Sequence, residues 1–329
     1  MQNCPSPLYS PLDRTKQEIR LLTVGYPQTP CLSELLHDIS STIACTLSTV
    51  SLSENPDYIA LSYVWGSAAH KEPIIVNGHT IQVTANLASF LRHFQRILRP
   101  QNAEFTGSLW IDAVCINQSD MDERSHQVTL MNRIYPKARV TLVWLGPEAE
   151  SSNRAVEIIK HVAREMKSLK DTDAYLLEQS KLMDMLLTKD MDEIPFNSGL
   201  ECLGNFFSRP YWKRVWTFQE LVLARDLRFC CGESVFILDD LPLLIDGFQK
   251  MHVGQKPHGL NDQIWELLSS AEFLRHHMRF FDIMPVLASR HSLIDPEQNN
   301  LRNKWSRGLN VSSRLATDPR DKVYGHLGI

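Results

Sequence analysis

Three short apolar runs constrain the fold of this chain more than any other feature of its sequence. They are residues 59–65, 110–116 and 140–145. Each is almost continuously apolar, which is typical of strands that are buried on both faces. Segments with helical spacing separate the runs, and strand–helix–strand units of this size join parallel strands through right-handed crossovers. The sequence therefore predicts an α/β core in which the three runs are neighbouring parallel strands.

Further elements are predicted on both sides of these runs. Residues 18–24 and 43–52 are rich in branched side chains and are expected to be strands or edge elements of an N-terminal extension. Asn77-Gly78 is the strongest short hairpin signal. Apolar residues at helical spacing predict one helix over residues 86–98 and a second that begins at Asp120 and ends before Pro136.

The predicted organisation has three parts. Residues 1–57 are the N-terminal extension, and residues 58–224 are the main domain, with a helical insertion at residues 147–207. We expect this insertion to cover the carboxyl ends of the strands as a lid or an assembly surface. Residues 225–329 are expected to form a β-hairpin around Gly232 and then mostly helices. Because the chain ends among apolar residues, we expect it to be a truncated form of a longer protein.

The composition limits the classes of partner and the cellular compartment that we expect for this protein. Of the 329 residues, 43% are hydrophobic and 22% are charged. The net charge is -4, and the sequence contains no block of basic residues. A nucleic-acid groove or a polybasic membrane surface is therefore not expected. No apolar run is long enough to span a bilayer, and the N-terminus lacks the pattern of a signal peptide. We expect a cytoplasmic protein with small-molecule or protein partners.

The seven cysteines lie mostly in apolar surroundings and are expected to be reduced thiols in the core. Because no Cys-x-x-Cys or His-x-x-x-His pair is present, we expect no metal site. The phosphate loop, the dinucleotide-binding glycine pattern and the Gly-x-Ser-x-Gly elbow are also absent from the sequence. Cys115 with His126 as its base is a formal alternative, but burial in a strand would disfavour the Cys115 thiolate.

Residues 208–224 predict a helix with almost no face left for water. Ser208 can cap this helix, Pro210 fits its first turn, and apolar residues follow in two rows at helical spacing. Glu220 is the one acid among them. A carboxylate in such surroundings must be paired, protonated or used in function.

Four blocks of the sequence resemble the fungal heterokaryon-incompatibility (HET) domain. They are Ala-Leu-Ser-Tyr-Val-Trp-Gly at 60–66, Leu-Trp-Ile-Asp-Ala-Val-Cys-Ile-Asn-Gln at 109–118 with Glu123, Arg124 and Gln127 after it, Trp-Thr-Phe-Gln-Glu at 216–220, and Asp-Pro-Arg-Asp-Lys-Val-Tyr at 318–324. The resemblance covers most of the chain from Tyr58 onward. That family is associated with non-self recognition and programmed cell death in filamentous fungi, so the resemblance implies an effector of these processes.

A more distant similarity connects the chain to TIR domains. Residues 61–63 with Gly66 are similar to the first TIR strand, and Ser208, Tyr211, Trp216, Glu220 and Leu221 have the spacing of the TIR segment that carries the catalytic glutamate. This similarity implies a flavodoxin-like parallel sheet flanked by helices, and cleavage of NAD. The chain departs from the TIR pattern at Trp65, where many TIR domains have arginine, and in its long insertion before Ser208.

These similarities and the expected sheet give a hypothetical site. Glu220 is the catalytic candidate, with NAD as the substrate and no bound cofactor. The substrate-binding candidates are Tyr63, Trp65, Asp112, Asn117, Gln118, Arg124, Gln127 and Trp216. Because ligands bind at the carboxyl ends of strands in open α/β sheets, we expect these residues to converge on one pocket.

The same residues could instead have purely structural roles. Glu220 could form an ion pair in the core with Arg124 or Arg214. Asp112 could cap its loop, and Arg124 and Gln127 could bind neighbouring backbone. The tryptophans could simply belong to the core: Trp65, Trp110, Trp144 and Trp216. Two functions of different classes therefore remain, an NAD-cleaving effector and a non-catalytic death or scaffold domain that self-associates as a homo-oligomer or binds a partner signalling protein.

Overall fold

The computed structural model describes residues 8–25, 43–168 and 199–241. The chain divides into two compact units. The first contains the chain up to Pro147 together with Gln219–Leu227, and the second contains Glu148–Phe218 and the residues from Arg228. The predictions for residues 169–198 and 242–329, including the block at 318–324 and the C-terminal helices, lie outside the described residues.

A mixed β-sheet flanked by helices forms the first unit. Its described strands are β1 (Glu18–Val24), β2 (Ala44–Ser51), β3 (Tyr58–Tyr63), β4 (Lys71–Val76), β5 (His79–Thr84), β6 (Ser108–Trp110) and β7 (Val140–Trp144). They are hydrogen bonded in the order β5-β4-β2-β1-β6-β3-β7. The hairpin of β4 and β5 turns at Asn77-Gly78, as the sequence predicts.

The parallel core of this sheet confirms the predicted neighbouring parallel strands, although only Trp110 of the run 110–116 belongs to a strand. Strand β3 lies between β6 and β7 and is parallel to both, with Ala60 opposite Trp110 on one side and Thr141 on the other. All residues of β3 and of β7 are buried. The sequences of these strands are continuously apolar because both of their faces are covered. No position of such a strand faces water, so none requires a polar residue.

The two N-terminal segments are strands, as predicted, but they are not edge elements. Strand β1 pairs antiparallel with β2 and also with β6, where Leu22 is opposite Leu109. Strand β2 is in turn parallel to β4. Both N-terminal strands therefore lie inside the sheet, and the sheet is mixed, with the predicted parallel arrangement present in the three-stranded core.

Residues 111–116 do not continue β6 as predicted. The strand ends at Trp110, and a helical turn follows at Asp112–Cys115. The Asp112 carboxylate accepts the amide of Ala113 at 2.7 Å, and the Ile111 carbonyl accepts the amide of Cys115 at 2.7 Å. Such local hydrogen bonds from a short acidic side chain give the backbone an alternative to the strand ladder, and here they determine its path.

Two helices of the first unit agree with prediction in type but differ at their ends. Helix α1 (Ala85–His93) continues directly into a π-helical segment, Phe94–Leu98. Helix α2 (Met121–Lys137) begins after Asp120, whose carboxylate accepts the amides of the second and third helical residues. Pro136 does not end α2, which continues for one more residue to Lys137, and in the last turn the proline removes only one helical hydrogen bond.

The second unit contains the predicted helical insertion in part. Its described helices are α3 (Ser152–Ser168), α4 (Gly199–Phe207) and the beginning of α5 (Val215–Leu223). The predicted hairpin around Gly232 is formed by β8 (Leu227–Cys231) and β9 (Ser234–Ile237). In the part of the chain that the structure describes, no helix is long and apolar enough to cross a membrane. The role of the insertion as a lid stays a prediction.

The single helix expected from Ser208 is divided in two. The Ser208 hydroxyl donates to the Gly204 carbonyl at 2.7 Å, so it closes α4 and does not cap the next helix. Pro210 begins a short 3-10 helix, Pro210–Lys213, and Arg214 is extended. Helix α5 then starts at Val215, with the Thr217 hydroxyl donating to the Arg214 carbonyl at 2.7 Å.

Candidate functional site

Two neighbouring strands of the parallel core end beside each other and bring two predicted residues into contact. Trp65 follows β3 and Asp112 follows β6. The Trp65 indole Nε1 donates to Asp112 Oδ2 at 2.8 Å. The Gln118 side chain donates to the Asp112 main-chain carbonyl at 2.8 Å. Trp65, Asp112 and Gln118 therefore form one hydrogen-bonded group at the carboxyl ends of these strands, where ligands bind in open α/β sheets.

The two carboxylate oxygens of Asp112 accept different hydrogen bonds. Oδ1 accepts the amide of Ala113 and thus stabilises the turn, while Oδ2 accepts the Trp65 indole. The loop-capping role considered for Asp112 is confirmed by the first of these bonds. The second fixes the orientation of the half-buried Trp65 ring. A tryptophan with an oriented indole ring can present a flat apolar surface to a planar ligand.

Glu220 lies in α5 and receives a hydrogen bond from the sheet. Its side chain is buried, with 5% of the residue exposed. The donor is the Ser62 hydroxyl, which binds Glu220 Oε2. Ser62 is the next-to-last residue of β3 and is itself fully buried. The predicted packing of this helix on the parallel core is thus confirmed at Glu220, and the carboxylate lies near the carboxyl end of the strand that leads to Trp65.

Asn86, which the sequence reasoning missed, holds the loop after β3. Its side-chain amide donates to the Val64 carbonyl at 2.6 Å and its oxygen accepts from the Trp144 indole at 3.1 Å. Gly66 in the same loop has φ +82°, a conformation that favours glycine. The only sequence signal for this role was an asparagine at the start of a predicted helix.

A buried ion pair anchors the turn that begins at Asp112. Arg20 of β1 donates to Glu123 of α2 from both terminal guanidinium nitrogens, at 2.6 and 2.9 Å. Arg20 also donates to the Cys115 carbonyl at 3.1 Å, and Glu123 accepts the Asn117 amide at 2.7 Å. The pair therefore holds the segment between Asp112 and α2 at Cys115 and at Asn117. Sequence reasoning missed Arg20, although an arginine among the apolar residues of a strand signals a buried partner.

The same arginine ties the N-terminal segment to this turn. Its guanidinium donates to the Ser10 carbonyl at 2.6 Å and lies 5.0 Å from the centroid of the Tyr9 ring. The Tyr9 hydroxyl donates to the Val114 carbonyl at 3.1 Å. Burial is the main cause that raises the pKa of Tyr9, so this hydroxyl keeps its proton and remains a donor.

The other predicted residues have separate surroundings. Gln127 is buried and donates to the Glu18 carbonyl of β1 at 2.9 Å, which is the backbone role considered for it. Arg124 is exposed on α2, and Asn117 accepts the amide of Ser119 at 3.2 Å. Tyr63 is buried at the end of β3, and the side chain of Trp216 lies outside what the structure describes.

Nucleophilic cysteine chemistry is disfavoured at Cys115. The thiol is fully buried, and burial raises its pKa to about 12. The described cysteines are buried, as expected for core thiols: Cys45, Cys115, Cys202, Cys230 and Cys231. Among the residues with described positions, no group of three or more His, Cys, Asp or Glu side chains could hold a metal ion.

The fold and the site define an α/β protein whose polar loop residues gather at the carboxyl ends of a parallel core. Residues 58–220 match the family model for the heterokaryon incompatibility protein (HET). The match begins at the first residue of β3 and ends at Glu220, so it includes Trp65, Asp112 and Gln118 as well as Ser62 and Glu220.

Similarity to a curated protein extends beyond this stretch. The chain is 29% identical over 308 residues to heterokaryon incompatibility protein 6, OR allele, of Neurospora crassa. The alignment covers 87% of this chain and 44% of the relative. The chain therefore spans less than half the length of the curated relative that it matches. No solved structure matches the chain.

Proposed function

We propose that this chain is an effector of fungal heterokaryon incompatibility whose HET domain cleaves the bond between nicotinamide and ribose in NAD. The similarity to an incompatibility protein supports the biological role. The observation that supports the chemistry is Glu220, a buried carboxylate that the central strand holds through Ser62 at the carboxyl end of the parallel core. The TIR-like spacing around Glu220 is the sequence feature that suggests NAD as the substrate.

The reaction needs little more from the protein than charge and orientation. When the bond between ribose C1′ and nicotinamide breaks, its electron pair leaves with the ring nitrogen and nicotinamide departs neutral. The ribose becomes an oxocarbenium-like cation, water adds to C1′, and the water proton passes to solvent. No general acid is required, so an ionised Glu220 that stabilises the cation and fixes the ribose hydroxyls would be sufficient.

In this proposal Trp65 recognises the base. Its ring is half-buried and is oriented by the hydrogen bond to Asp112, so it can stack on a planar nicotinamide. Tyr63 is less accessible because only 3% of the residue is exposed. Gln118 is held beside Asp112 and adds a polar side chain to the same loop group. In this proposal Glu220 is the catalytic residue and Trp65 lies against the base.

The first prediction tests Glu220 directly. Glu220→Gln preserves the shape of the side chain and removes its charge, so the rate of NAD consumption should fall on the order of 100-fold or more. The assay measures nicotinamide release by purified protein at concentrations that permit self-association. Glu233→Gln is the control, since Glu233 is exposed in the turn between β8 and β9, and it should retain the parent rate.

The same assay tests the alternative, non-catalytic function. If the parent protein releases no nicotinamide, or if Glu220→Gln releases it as fast as the parent, the enzymatic proposal fails. The HET domain would then act as a non-catalytic death or scaffold domain through self-association or through a partner signalling protein. Light scattering across a concentration series would show the self-association that this alternative requires.

A further inference from the structure

We infer that Ser62 is the positioning residue of the site, because its hydroxyl fixes the carboxylate of Glu220. This inference rests on the proposed function for its consequence in catalysis. The contact itself is a property of the fold, since it joins β3 to α5 across 158 positions of the sequence. Ser62 was not among the residues predicted for the site.

The first argument is the rigidity of the donor. Ser62 is in the central strand of the parallel core, with β6 on one side and β7 on the other. It is in register with Val143 of β7, and 0% of the residue is exposed. A short side chain on such a strand has few alternative positions, so its hydroxyl is a fixed point to which a longer, more flexible glutamate can be attached.

The second argument is the electrostatic effect of the bond. A hydroxyl that donates to a carboxylate favours the ionised form of that carboxylate, and the effect is stronger in a buried setting than in water. The proposed reaction needs an ionised Glu220 to stabilise a cationic ribose. The Ser62 hydroxyl thus supplies the orientation that the reaction requires from Glu220 and favours its ionised form.

Thr141 offers a matched control for the loss of this hydroxyl. It is a fully buried residue of β7, the strand that pairs with β3, and it lies opposite Ala60. Its hydroxyl oxygen has no hydrogen-bond partner among the described residues. Thr141→Val therefore removes a buried hydroxyl from the same sheet and leaves the bond between Ser62 and Glu220 intact.

The kinetic test compares Ser62→Ala with Thr141→Val in the NAD assay. Ser62→Ala should lower kcat on the order of 10- to 100-fold with little change in KM, because the substrate still binds while the carboxylate is misplaced. Thr141→Val should keep the parent kcat. If the parent is active and Ser62→Ala keeps its kcat, the inference about Ser62 is overturned while the proposed function stands.

A second measurement does not depend on catalysis. Urea unfolding of Ser62→Ala, Glu220→Gln and the double variant forms a double-mutant cycle, and the shifts in unfolding midpoint should be clearly non-additive because the two residues share one bond. The cycle of Thr141→Val with Glu220→Gln should be additive. Additive shifts for Ser62 and Glu220 would overturn the inference. If the parent consumes no NAD, the proposed function fails, and the cycle still decides whether Ser62 holds the carboxylate.

Discussion

At the scale of single residues, the site depends on polar side chains that are buried and paired. Arg20 and Glu123 are 2% and 9% exposed, and they form a bidentate ion pair between β1 and α2. Replacing a whole buried pair by apolar residues is often neutral, but removing one partner leaves an uncompensated charge in the interior. Each member of this pair is therefore sensitive to substitution on its own.

Glu123→Gln should lower the free energy of unfolding by about 3–5 kcal/mol, because the Arg20 charge then stays buried without its partner. The matched control is Asp57→Asn. Asp57 binds Arg139 at 2.7 Å, but the two side chains are 65% and 38% exposed, and a pair of that kind contributes about 0–1 kcal/mol. Urea unfolding followed by circular dichroism measures both variants. Equal losses from the two variants would contradict the buried role of Glu123.

At the scale of elements, the turn after β6 connects the parallel core to the loop residues of the site. A strand was predicted through residue 116, yet the chain leaves the sheet at Trp110. Asp112 stabilises this change of direction through one hydrogen bond to the turn and one to Trp65. The same turn places Gln118 next to Asp112, so the local backbone path creates the group at the strand ends.

Asp112→Asn should weaken this element without abolishing the fold. An amide has one acceptor oxygen in place of two, so only one of the two bonds can be kept. The loss of a hydrogen bond to a charged group predicts a stability decrease of about 1–3 kcal/mol. In the NAD assay KM should rise, because Trp65 is less firmly oriented. Asp239→Asn is the control at an exposed acid, and an unchanged KM in Asp112→Asn would contradict the proposed place of Trp65.

At the scale of the whole molecule, the buried thiols link stability to alkaline pH. Burial raises the pKa of Cys45 and that of Cys115 to about 12, from 9.0 for an ordinary thiol. Burial also raises the pKa of the Tyr58 hydroxyl. In the folded state these groups keep their protons at pH values where they ionise in the unfolded chain. Their stabilising contribution is therefore complete below about pH 9 and is lost as the pH rises towards 12.

The corresponding measurement is the free energy of unfolding as a function of pH. Between pH 9 and 11 each buried thiol should contribute a decrease of up to about 1.4 kcal/mol per pH unit. Cys45→Ala should reduce this slope, since one of the titrating groups is absent. A variant with the same slope as the parent would contradict the assignment. Cys45 and Cys115 should also react with a thiol reagent only after unfolding.

Local sequence determined several parts of this structure. Strands β3 and β7 were predicted because a continuous apolar run has few alternatives to a strand buried on both faces. The hairpin at Asn77-Gly78 and the start of α2 after Asp120 followed from residues within one turn of each other. In each case the physical cause acts over a few residues, so the sequence alone contains it.

Tertiary structure decided the partners of residues that lie far apart in the chain. Strand β1 lies inside the sheet because it pairs with β6, and this pairing joins segments that are distant in the sequence. Arg20 meets Glu123 across 103 positions, and Ser62 meets Glu220 across 158. Sequence identified Glu220 as an acid that needs a partner, since burial of a carboxylate follows from its apolar neighbours. Which donor it meets depends on the register of β3 and the placement of α5, and only the folded chain fixes both.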